Sequence, residues 1–193
     1  MKIRTAIAGA AVAALALSLV PTAAFADDVT RNGSYTVRAG QTIDGDLTVK
    51  NGTLVIRGTV KGNVQQVGGG SVFVEGRGVV EGNVTERGTG GAAVRNGGLV
   101  KGNVHEYDDG LIRVQSRGSV DGNVIEKSRG NVYIGSSVDG NVTEDDGGHL
   151  FLYSGARVDG NAYEKDGGNL YKYKGSRVEG DVVENGSGKR INR

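Results

Sequence analysis

This 193-residue sequence predicts an all-β fold, a single-domain parallel β-helix of about eight turns with a period of about 20 residues. Three observations predict it. A glycine-centred heptad recurs at a nearly fixed interval, which is the mark of a solenoid. Aliphatic residues alternate on both sides of each copy, as in strands with one buried face. Equivalent positions carry the same residue type from copy to copy, as stacking turns demand and a meander does not.

The chain opens with a segment set apart from the repeats. Lys2 and Arg4 precede an apolar run of 16 residues, Thr5 to Val20, and Ala24-Phe25-Ala26 follows with small residues at both peptidase positions. This is the pattern of a secretory signal peptide cut after Ala26. The run is shorter than the ~20 residues of a spanning helix. The expectation is therefore a secreted chain, extracellular or at the cell surface, with no membrane span once the leader is removed. Residues 27–34 then form an amino-terminal lead-in to repeats over 35–184.

The remaining 167 residues hold 21 basic and 22 acidic side chains, with no Cys, no Pro and 34 glycines. A chain this close to neutral has no field for nucleic acid. Without disulfides it needs another source of stability. The marker glycines are Gly45, Gly62, Gly82, Gly102, Gly122, Gly140, Gly160 and Gly180, at steps of 17, 20, 20, 20, 18, 20 and 20. Two before each stands Ile or Val; two after stands Leu, Val or Ala. A second alternating pair precedes each marker, from Tyr35/Val37 and Leu54/Ile56 to Leu150/Leu152, and ends as Leu170/Lys172. Each unit thus reads as two short strands and about ten residues of turn. Length changes fall in the turns, where they leave the phase of both strands intact. Each buried aliphatic side chain contributes roughly 1.5–3 kcal/mol before ordering entropy, so a continuous apolar spine can stand in for disulfides.

Four further columns run along the coil. Asn83, Asn103, Asn123, Asn141 and Asn161 follow their markers, with Asp46 and Asp181 at the ends; stacked amides can bond up the coil. A second glycine column, Gly70 to Gly188, supplies either positive φ or a tight corner. Four past the marker stand Gln66, Glu86, Glu106, Glu126, Glu144, Glu164 and Glu184, read as a solvated acidic edge. Like charges at that spacing repel by about 0.8 kcal/mol per pair in water. Arg87, Lys127 and Lys165 are placed to offset this, and Glu106, Glu126, Glu144 and Glu164 are candidates for weak Ca²⁺ binding. The last column is aromatic: Tyr133, Phe151, Tyr153, Tyr171 and Tyr173 read either as an exposed binding stripe or as cross-strand stacking. His105 and His149 occupy different columns, and no constellation of unlike residues converges as catalysis requires. The expectation is no enzyme and no cofactor beyond weak Ca²⁺.

The turns VKGNV at Val60, VEGNV at Val80 and VDGNV at Val120 resemble those of the bactofilins, polymer-forming cytoskeletal proteins. The resemblance covers about Ile43 to Val183. It implies a right-handed β-helix that assembles end to end without nucleotide. Bactofilins are typically cytoplasmic, whereas this chain carries an export signal. Lys172 and a polar 185–193 segment read as a protected carboxyl end with a flexible tail, beside a less covered amino end. The function expected is a secreted structural scaffold of the envelope or matrix that self-associates through its coil ends. The alternative is a polysaccharide- or cell-wall-binding module using the aromatic stripe.

Overall fold

The computed structural model describes residues 27–193, so the leader read over residues 1–26 lies outside the described part. The chain winds as a parallel β-solenoid with three faces rather than two. A long face holds nine strands from Val29–Asn32 to Val182–Gly186. A second face holds nine from Tyr35–Val37 to Arg190–Asn192. A short face holds eight two-residue strands from Thr42–Ile43 to Arg177–Val178. Every strand pairs parallel with its equivalent one turn away, as Val84↔Val104 and Val104↔Val124 do. Among the described residues no helix is long and apolar enough to cross a membrane.

The third face corrects the two-strand unit. The heptad reads as one alternating strand, yet it breaks at the marker glycine: Val79–Val80 lies on the short face and Val84–Arg87 on the long one. Both flanking valines still point inward, because the bend consumes the glycine and its asparagine without changing parity. A Cβ on Gly102 would lie 2.5 Å from the Gly82 carbonyl oxygen and 2.7 Å from Asn83 Oδ1. The corner therefore needs glycine for close approach of stacked backbones.

The interior is a shaft of aliphatic residues, Val80, Val84, Val100, Val104 and their equivalents, almost all without solvent exposure. The coil continues beyond its expected limits. Val29–Asn32, in the lead-in, pairs with Leu47–Lys50. Arg190–Asn192, in the expected tail, pairs with Leu170–Lys172. A polar strand can be held this way because its ladder bonds are made by the backbone. Lys172, at an aliphatic position, turns its ammonium to the Ser176 carbonyl at 3.1 Å.

Candidate functional site

Three columns of side chains carry whatever chemistry this coil has. The asparagine ladder is as expected and longer. Asn103 donates both its backbone N–H (2.8 Å) and its Nδ2 (3.0 Å) to Asn83 Oδ1, and Asn123 repeats this on Asn103. Asn141 and Asn161 continue it, and Asp181 ends it with its N–H on Asn161 Oδ1 at 2.7 Å. Its first rung is Asp28, which accepts the Asp46 N–H at 2.8 Å. Sequence reasoning missed Asp28, although Asp28-Val29 repeats the Asp46-Leu47 pattern. It also missed a second ladder in which Asn131 accepts from His149, His149 Nδ1 from Asn169, and Asn169 from Lys189. A backbone N–H on Nδ1 fixes the His149 tautomer with its proton on Nε2.

The glutamate column is not a solvated edge. Gln66, Glu86, Glu106, Glu126, Glu144 and Glu164 are buried with no exposed surface. They sit four past the marker, in phase with the inward valines two past it. Glu126 Oε1 accepts the Ser128 N–H at 2.9 Å and the Gly130 N–H at 3.2 Å; Glu144 Oε1 accepts the Gly148 N–H at 2.9 Å. This settles the second glycine column. A Cβ on Gly130 would collide with the Gly110 carbonyl and lie 2.9 Å from Glu126 Oε1. Close approach is the reason there, since positive φ within this column is confined to Gly70 at 129°.

Burial pushes the Glu86 carboxyl up to about 8, with Glu106 beside it adding to the shift. Burial likewise pushes Glu126 up to about 9 and Glu144 up to about 8, and raises Glu164. These rungs are neutral acids at pH 7, which removes the repulsion expected of a charged ladder. The second oxygens of Glu106, Glu126 and Glu144 find no donor in the protein. A proton held between successive carboxyls supplies one. The bases expected to neutralise the column are engaged elsewhere: Arg87 and Lys127 lie over the Tyr107 ring at 4.1 and 5.4 Å, and Lys165 pairs with Asp145 at 3.6 Å. Among the described residues no group of three or more His, Cys, Asp or Glu is arranged to hold a metal ion. His105 packs at Tyr107, with Nδ1 3.0 Å from its hydroxyl, and burial lowers its pKa.

The aromatic column lies outside the second face. Tyr133 stacks on Phe151 at 5.0 Å and 10°, and Phe151 on Tyr171 at 4.8 Å and 4°. Tyr153 and Tyr173 form a neighbouring pair at 5.2 Å. Arg113 lies over Tyr133 at 5.0 Å and Arg193 over Tyr171 at 5.2 Å, so guanidinium groups cap both ends. His149 meets Phe151 and Tyr171 edge-on. Both faces of Phe151 are thus occupied by other rings. Of the five, Tyr153 is the exposed one, at 38%. One column up the coil, Ala93 leaves a shallow depression between Phe73 and Arg113.

Stacked parallel turns with amide ladders at their corners define a β-solenoid of like-on-like rungs. Residues 35–128, just under half of the chain, match the Bactofilin family, described as polymer-forming cytoskeletal. The repeats are bactofilin-like in sequence and in coil architecture. A stretch of 41 residues is 49% identical to the anti-sigma-W factor RsiW of Bacillus subtilis (strain 168), covering 21% of this chain and 20% of that one. The chain thus spans about a fifth of the length of that curated relative. No solved structure matches.

Proposed function

We propose that this protein is an exported structural scaffold that self-associates into polymers through the ends of its coil. One observation carries the reading: a coil whose first 94 repeat residues match a polymer-forming family ends in strands with no partner on their outer edge among the described residues. Unpaired edges of parallel sheet are templates for another chain. The sequence of the leader supports export, which would place the polymer in the envelope or matrix. Polysaccharide binding through the aromatic stripe receives less support, because the rings use their faces on one another. The test is assembly of the purified protein, followed by light scattering and negative-stain electron microscopy, with cell fractionation for location. Rods or oligomers are expected outside the cytoplasm. A monomer at every accessible concentration would end the scaffold reading.

A further inference from the structure

The ends of the coil differ from one another, and the columns show how they fit. The column of the glutamate ladder can be followed by register from end to end: Arg31, Val49, Gln66, Glu86, and onward to Glu184. Its first residue is basic and its last is acidic. Arg31 lies exposed at the amino end, and Glu184 keeps a buried oxygen without a partner. On the second face, Tyr35 begins a column of inward residues that Arg190 ends.

The asparagine ladder has a direction. Each rung donates to the rung before it, so Asp181 ends the ladder with a carboxylate and no rung above. Asp28 begins it, with no rung below to receive its own N–H. Two aspartates in successive rungs are already accommodated inside the chain, where the Asp46 N–H bonds Asp28 Oδ1 at 2.8 Å. Net charge points the same way. Residues 27–46 hold four acidic and two basic side chains, a net of −2, whereas residues 172–193 hold six basic and three acidic, a net of +3. Like ends repel and unlike ends attract.

We propose that copies of this chain join head to tail, the carboxyl end of one coil seating on the amino end of the next, with Arg31 of the second copy closing the glutamate ladder at Glu184 of the first. This rests on the scaffold reading and specifies its joint. Val182 then continues onto Val29, Asn185 onto Asn32, and Asp181 accepts the N–H of Asp28. Arg190 meets the Tyr35 ring, a favourable cation–aromatic contact. Every new strand pair is parallel, as all pairs within the chain are. The short face has one strand fewer than the others, so the joint leaves a slot one strand deep on that side. The resulting filament is polar, with one acidic and one basic tip.

The chain contains no cysteine, which makes disulfide trapping clean. Asn32 and Asn185 are exposed and outside both ladders. Protein expressed from the full sequence is prepared as Asn32→Cys, as Asn185→Cys and as the double variant, then oxidised mildly under assembly conditions. The head-to-tail joint predicts a covalent multimer series from the double variant, mixed dimers when the two single variants are combined, and no homodimer from either alone. Arg31→Glu should raise the concentration needed for assembly roughly tenfold or more, with the coil intact by circular dichroism. Adding Glu184→Arg should restore assembly to within about threefold. Homodimers from a single variant, or a double charge reversal no better than Arg31→Glu, overturn the proposal while polymers seen by microscopy leave the scaffold reading standing. Absence of any polymer from the unaltered protein overturns both.

Discussion

Replacing Glu126 by glutamine tests whether the interior ladder is a column of neutral acids. Its carboxyl is raised from the usual 4.5 to about 9, first by burial and then by the Glu106 carboxyl beside it. A group with a raised folded pKa holds its proton in the folded state after the unfolded chain has released it. Its contribution to stability is therefore complete below about pH 4.5 and is lost as pH climbs towards 9. At about 1.4 kcal/mol per pH unit, on the order of 6 kcal/mol is at stake at this rung, less whatever the ladder recovers by sharing protons. Glutamine keeps the shape and cannot ionise. The column already holds one, since Gln66 is fully buried and donates Nε2 to the Gly69 carbonyl at 3.1 Å. The assay is thermal unfolding followed by circular dichroism between pH 5 and pH 9. The unaltered protein should lose stability steadily across that range. Glu126→Gln should match it within about 1 kcal/mol at pH 5. At pH 9 the variant should exceed it by a few kcal/mol, or roughly 10 °C at about 3 °C per kcal/mol for a chain of this size. A melting temperature that is flat or rises from pH 5 to pH 9, with no gain at pH 9 from the substitution, would show ionised, hydrated carboxylates and refute the reasoning.

Other perturbations probe the remaining columns. Gly102→Ala places a methyl against the Gly82 carbonyl and should cost about 3 kcal/mol, read as a lower urea midpoint; a neutral result would mean that the corner can spread. Asn123→Ala removes the acceptor for both Asn141 donors and should cost about 2 kcal/mol, with the change in amide hydrogen exchange centred on residues 103–141. Phe151→Ala empties the middle of the ring stack and should cost about 2 kcal/mol, whereas Tyr153→Ser, at the most exposed ring, should cost under about 1 kcal/mol. If Tyr153→Ser with Tyr173→Ser abolished retention on insoluble glycan, the stripe would be a binding face after all. Calcium should give no heat by titration calorimetry at pH 7, because the ladder carboxyls are enclosed and protonated; a clear exotherm lost in Glu126→Gln would show that ions reach them.

The coil was legible because its physics repeats. A strand position that must hold an aliphatic residue in one turn must hold one in the next, so eight copies of the same constraint appear as columns of Val. The third face was not legible. The break at Gly82 or Gly102 preserves the alternation of the flanking valines, so a bent pair of strands and a single straight one read alike. The glutamate ladder was readable and was misplaced. Its parity with Val84 and Val104 puts Glu86 and Glu106 inside, but carboxyl groups are almost never fully buried, and that general rule outweighed the local phase. What reconciles the two is protonation, which residue letters do not record. The aromatic column was found, yet only inter-ring distances decide that Phe151 spends both faces on its neighbours.

Each turn of this molecule needs only the turn on either side of it. Every hydrogen bond of the asparagine ladder, and every stacked glycine, spans a single step. Copying one 20-residue unit into the middle of the gene would therefore lengthen the protein by about 5 Å and leave all other contacts as they were. Size in such a molecule is set by how many times a phrase is repeated, and natural variation among its kin should appear as whole phrases gained or lost.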